Sequence, residues 1–158
     1  MKKLCLLLIT LFIAFAGCKK DSNVQGPIDN KLILAYIQAN NLTAKATGTG
    51  LYYVVTTPGN ATRAIITSTV YVKYRGYLLD GTKKGIQFDS SYESSEQPAQ
   101  FVGLTTLVKG FSEGLRLFGV GGKGQLIIPS GLGYGATASG TIPASSVLIF
   151  DIEITGIQ

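Results

Sequence analysis

From Val70 to Leu78 the chain alternates, with Val70, Val72, Tyr74, Gly76 and Leu78 on one face and Tyr71, Lys73, Arg75 and Tyr77 on the other. Successive side chains of a strand point to opposite sides of the sheet, so this pattern specifies a half-buried β-strand. Other segments answer to the same rule. Gly50 to Thr56 reads as a strand, with Pro58-Gly59-Asn60 as a turn after it. Asp80-Gly81 begins a turn that Lys83-Lys84-Gly85 extends, and a strand resumes from Gln87 to Ser90. Lys123 to Pro129 and Val147 to Ile157 complete the set, the last with Leu148, Phe150, Ile152 and Ile154 on one face. Between them, Phe111, Leu115 and Phe118 recur at helical spacing within Lys109 to Phe118, and Gly119 to Gly122 ends that helix. One short helix among mostly antiparallel strands predicts an α+β fold, a curved sheet wrapped around a helix.

A second helix is predicted ahead of this unit. Ile28, Leu32, Ala35, Tyr36 and Ala39 recur at helical spacing from Ile28 to Asn41, Asp29 supplies early negative charge, and Asn40-Asn41 is a stop. Its apolar face either packs on the domain, the default for such a helix, or pairs with a second copy.

The chain has 158 residues, room for one domain and an appendage. Twenty glycines and eight tyrosines suit a turn-rich β fold, and the absence of His excludes a His-dependent triad and a His-ligated metal. Both cysteines, Cys5 and Cys18, lie near the start, so the remainder holds no disulfide, thiolate metal site or cysteine nucleophile. No metal or other cofactor is expected. Formal charge is +5, two units of which come from Lys2 and Lys3, and the rest is scattered, so nucleic acid is not an expected partner.

Lys2 and Lys3 precede an apolar run from Leu4 to Ala16, a secretory leader that is too short to span a bilayer as a helix. Ala16, Gly17 and Cys18 then resemble the lipobox of bacterial lipoproteins, with Phe15 standing where an aliphatic residue is common. That resemblance implies cleavage before Cys18, acylation of Cys18, and attachment to a membrane of the bacterial cell envelope. Residues 18–27 read as a flexible lipidated tether, residues 28–49 as helix and linker, and residues 50–158 as the main domain. Cys18 to Asp21 also resembles surface-export signals of some lipoproteins, and a plain solvated linker explains it equally well.

Six motifs run in register: VYVKYRGYLLDG, FDSS at Phe88 to Ser91, LVKGFSEGL at Leu107 to Leu115, YGAT at Tyr134 to Thr137, Ile142-Pro143, and LIFDIE at Leu148 to Glu153. Together they resemble the FKBP-type prolyl isomerases from about Ser68 to Ile157. The resemblance implies an FKBP-like sheet around one helix and a proline pocket lined by Tyr74, Phe88, Asp89, Phe101, Leu107, Val108, Phe111, Tyr134, Ile142 and Phe150. Within it, Tyr74, Phe88, Asp89, Tyr134 and Phe150 are the expected catalytic group. Phe111 is the floor, and the Tyr134 hydroxyl and the backbone N–H of Ile142 receive substrate carbonyls. Expected partners are proline-containing polypeptides and macrolide inhibitors such as tacrolimus.

Many relatives carry Trp where Phe111 stands, the turn from Gly81 to Gln87 is longer than the family's compact one, and Ala138 to Thr141 is short. These departures keep open a rival to the enzyme, a chaperone or adaptor that binds proline segments with little turnover. Phe88 and Phe150 belong to a core in any fold, and Asp89 alone reads equally as a turn or ion-pair residue. A solute-binding or purely structural lipoprotein accounts for none of the motifs.

Overall fold

The computed structural model describes residues 22–92 and 97–158. The segment read as a leader, and Cys18 after it, lie outside them. Along the chain come helix α1 (Ser22–Ala39), strands β1 (Ala44–Ala46), β2 (Tyr52–Thr57), β3 (Thr69–Asp80), β4 (Lys83–Ser90) and β5 (Ala99–Val102), helix α2 (Lys109–Leu115), β6 (Lys123–Ile128), a 3₁₀ turn (Ser130–Leu132) and β7 (Leu148–Ile157). The sheet has the order β1-β2-β6-β7-β3-β4, and its paired strands are antiparallel. The alternating strand read first in the sequence is its long spine. One edge of β3 carries β7 along most of its length, and the other is divided between β5, at Thr69 to Val72, and β4, at Arg75 to Asp80.

The concave face encloses α2. Val70, Val72, Tyr74, Leu126, Ile128, Leu148, Phe150, Ile152 and Ile154 meet Phe111, Leu115 and Phe118 in one cluster. A seven-residue helix holds few contacts of its own, so it must lie close to the sheet. Gly110 and Gly114 permit this, because a Cβ at either would collide with Ile128 or Leu126.

The opposite face is covered by α1. Ile33 and Tyr36 pack on Ile127, Val147 and Ile149. Burial on both sides explains why β6 and the start of β7 read as continuous apolar runs there.

In five places the fold departs from the expectation. Helix α2 stops at Leu115, so Phe118 joins the core from beyond its end. Helix α1 begins at Ser22, within the segment read as a tether, and carries Pro27 inside it. Pro27 is past the first turn, so its missing N–H costs the helix one backbone hydrogen bond. Within the helix Gln25 Nε2 donates to Asp29 Oδ1 at 2.6 Å, and from across the fold Ser130 donates to Asp29 Oδ2, so one local and one tertiary contact hold this first part of the helix. Asp29 therefore sits in the body of the helix as a buried anchor, not as early charge at its start.

The face of α1 also differs. Ile28 and Leu32 are 42% and 40% exposed, whereas Ile33 and Tyr36 are buried. At the far end Asn41 takes a left-handed φ of 51°, and the Asn40 side chain donates to Tyr36 O and to Thr82 O, which closes the helix as expected.

The long turn after Asp80 is absent. Asp80 pairs with Lys83, leaving only Gly81 and Thr82 in the turn, and the extra residues become strand with register shifts around Tyr77. Lys84 reaches Asp151 on β7 at 2.5 Å and lies over the Tyr77 ring, which lays this length along the sheet. Finally, β1 and β5 are too short to show an alternation of their own, and no strand was expected at either.

Candidate functional site

Four aromatic rings converge at one end of the helix–sheet core. Phe111 is 4% exposed and lies with its centroid 5.6 Å from Tyr74, 6.0 Å from Phe101 and 4.5 Å from Phe150. Strand β3 supplies Tyr74, β5 Phe101, α2 Phe111 and β7 Phe150, so four separate elements build one wall. Each side chain points inward because its strand or helix period puts it on the core face. Above them opens a cavity of about 190 Å³ lined by Tyr74, Asp89, Phe101, Thr106, Leu107, Val108, Phe111, Tyr134 and Phe150.

Eight of the ten residues expected at the pocket line this cavity. Phe88 and Ile142 do not. Phe88 stands behind the wall, edge-on to Phe150 at 5.5 Å and 88°, where it supports that ring from outside. Ile142 is buried in the core, and its N–H donates to Ser139 O at 2.9 Å in a tight hairpin. The donor expected to receive a substrate carbonyl is therefore engaged within the chain. Thr106 is the lining residue that the sequence reading missed, and its place just before Leu107 and Val108 was the available signal.

The polar part of the site is a hydrogen-bonded pair. Gly76 stands opposite Asp89 in the β3–β4 register, and this brings Tyr74 and Asp89 to the same end of the two strands. The Tyr74 hydroxyl donates to Asp89 Oδ2 at 2.8 Å. Beyond β4 the chain is fastened to Tyr74 itself: Tyr74 N–H donates to Ser91 Oγ at 2.8 Å, and Ser91 N–H donates to Tyr74 O at 3.0 Å. Asp89 thus orients a ring of the wall. Tyr134, 40% exposed, stands at the rim on the loop after the 3₁₀ turn.

Burial raises the Tyr74 hydroxyl well above the ordinary phenol value of 10.0, aided by the hydrogen bond to Asp89, the Asp89 charge and the neighbouring Tyr134. Tyr36 is raised too, by burial, against the opposing hydrogen bond with Gln125. Above about pH 10 the unfolded chain loses tyrosine protons that the folded chain keeps, so the folded state binds more protons. Stability is accordingly expected to hold up to the ordinary phenol pKa and to fall as pH rises beyond it. Urea midpoints between pH 8 and pH 11 measure this. Tyr74→Phe should make the fall shallower without removing it, since Tyr36 remains; an unchanged slope would contradict this account of Tyr74.

Residues 60–155 match the family described as FKBP-type peptidyl-prolyl cis-trans isomerase. The chain is 42% identical over 114 residues to the FKBP-type peptidyl-prolyl cis-trans isomerase FkpA of Aeromonas hydrophila, covering 72% of this chain and 40% of that protein. It is 35% identical over 147 residues to FkpA of Buchnera aphidicola, covering 92% of this chain and 54% of that one. The chain thus spans about half the length, or less, of these curated relatives. Among solved structures it resembles FkpA from Escherichia coli, with TM-score 0.67 and 30% identity over 85% of this chain and 62% of the other. It also resembles a peptidyl-prolyl cis-trans isomerase of Pseudomonas syringae pv. tomato, with TM-score 0.67 and 27% identity over 84% of this chain and 95% of the other.

Proposed function

The chain belongs to the FKBP-type peptidyl-prolyl cis-trans isomerases, and we propose that it accelerates rotation about Xaa-Pro bonds of exported polypeptides while held at the cell envelope through Cys18. The observation that carries the catalytic reading is the cavity floored by Phe111 and walled by Tyr74, Phe101 and Phe150, with the Tyr134 hydroxyl at its rim.

Rotation of an Xaa-Pro bond must break amide resonance, a barrier of roughly 18–20 kcal/mol. The planar amide is more charge-separated than the twisted one. Transfer from water into an aromatic cavity therefore disfavours the ground state relative to the transition state. The proline ring rests on Phe111, and the Tyr134 hydroxyl donates to a carbonyl beside it. Asp89 fixes the ring of Tyr74 and takes no proton from the substrate. Nothing in this sequence of events needs a nucleophile. The same apolar cavity is the place where a macrolide such as tacrolimus would compete.

A second reading, a binding module with little turnover, is favoured by one observation, the engagement of the Ile142 N–H with Ser139 O. The test measures isomerisation of Xaa-Pro peptides by the Cys18→Ser chain, with and without tacrolimus. Acceleration that tacrolimus abolishes supports the enzyme, whereas peptide binding without acceleration supports the module. The anchor is tested separately: Cys18→Ser should release the protein from membranes, and acylation persisting in that variant would refute the lipobox reading.

A further inference from the structure

Helix α1 lies outside residues 60–155, the stretch that matches the family, yet it reaches the loop that bears Tyr134. Its contact is a buried carboxylate. Asp29 is 1% exposed; its Oδ2 accepts from Ser130 N–H at 2.8 Å and from Ser130 Oγ at 2.6 Å, and its Oδ1 accepts from Gln25 Nε2 at 2.6 Å. The two partners are 101 residues apart in sequence. Ser130 in turn accepts at its carbonyl from the N–H of Gly133 at 3.0 Å and of Gly135 at 2.8 Å, the residues on either side of Tyr134. Gly135 O then accepts from Ser145 N–H at 2.7 Å, joining this loop to the segment that closes the hairpin after Ile142.

Elsewhere the loop is held by Leu132, which packs on the core and donates its N–H to Pro129 O at 3.0 Å, and by the bond from Ser145 to Gly135. Gly131, Gly133 and Gly135 give the backbone around these points wide conformational freedom, and Tyr134 itself is exposed. Ser130 is therefore the pivot of the Tyr134 loop, and the pivot is gripped from α1. A hydrogen bond to a charged acceptor is stronger than a neutral one, and burial strengthens it further.

We propose that Asp29 is a positioning residue of the proline site, which makes α1 a working part of that site as well as a cover for the sheet. The inference rests on the reading of Tyr134 as the residue that orients the substrate. Asp29 touches no substrate; it acts through Ser130 on the direction of the Tyr134 hydroxyl. Loss of the grip is expected to spread the loop over several conformations and so to weaken both substrate affinity and turnover.

The test is a double-mutant cycle in the full chain, with Asp29→Ala and Tyr134→Phe alone and together. It reads kcat, KM and directly measured affinity for one prolyl peptide. Asp29→Ala should lower kcat/KM and affinity about fivefold or more with Tyr134 present, and change them by less than about twofold in the Tyr134→Phe background, since the two act as one unit. Asp29→Asn keeps an acceptor for Ser130 and should recover most of the loss. Ile33→Ala loosens α1 from the sheet without touching Ser130, and should lower the melting temperature while the peptide affinity stays.

Equal losses in both backgrounds, or an Ile33→Ala variant as impaired in affinity as Asp29→Ala, would overturn the proposal. If Tyr134→Phe alone changes neither affinity nor rate, the reading of Tyr134 fails and the proposal falls with it. A loss from Tyr134→Phe with none from Asp29→Ala sinks the proposal alone.

Discussion

Phe111→Ala is expected to lower the unfolding free energy by about 3–5 kcal/mol and to reduce prolyl isomerisation by about tenfold or more. The ring is buried at the meeting point of Tyr74, Phe101 and Phe150, and α2 has only seven residues with which to compensate. Truncation loses the transfer free energy of the ring and leaves a void that rigid neighbours from three strands cannot close. The same void extends the cavity above it, admits water beneath the bound proline, and returns solvation to the planar amide.

Urea unfolding measures the first effect and a peptide isomerisation assay the second. Phe111→Leu separates them, because it retains most of the buried volume while removing the flat floor. It should lose less stability than alanine and still lose activity. Full activity in a folded Phe111→Leu variant would show that the floor does not take part in the reaction.

Gly76→Ala should damage the site from behind. A Cβ on Gly76 would lie 2.8 Å from Phe150 Cε1 and 2.8 Å from Phe88 Cζ, so the added methyl would wedge between two rings that now meet edge to face. Phe150 already rests on Phe111 at 4.5 Å, so the direction left for it to yield is towards the cavity it lines. Overpacking of this kind costs about 1–3 kcal/mol. Displacement of Phe150 into the cavity should lower kcat/KM by about tenfold, mostly through KM, because the volume left for proline shrinks. The measurements are thermal unfolding and kcat/KM with a prolyl peptide. Unchanged kinetics in a variant with the expected loss of stability would separate Phe150 from the site.

Much of this site could be read from residues alone because its determinants are local. Tyr74 and Gly76 face the core by the period of β3, and Phe150 does so by the period of β7. The motif order placed Asp89, Leu107, Val108, Phe111 and Tyr134 beside them, and the cavity holds all five. Sequence did not separate a wall from its support. Phe88 and Phe150 are both phenylalanines on strands, and only the register shifts of β4 put one behind the other. The extra residues after Asp80 looked like a longer turn because Lys, Gly and Gln carry no alternation. They became strand because β3 was long enough to pair with them and Asp151 stood ready for Lys84.

Helix α1 marks the boundary most clearly. The sequence by itself determined that it is a helix with apolar residues and a stop at Asn40-Asn41, and that the later strands curve around a helix carrying Phe111. Periodicity, turn chemistry and side-chain size act within a few residues, so a linear reading captures them. Only the tertiary structure decided which face of α1 meets the sheet, that its first turns extend back through Gly26 and Pro27, and that Asp29 closes on Ser130. The helix offers apolar residues on more than one side, and period alone does not choose among them. The choice fell to the face that could cover Ile127 and Ile149 while giving a buried carboxylate its hydrogen-bond donors, a condition set by residues about a hundred positions away.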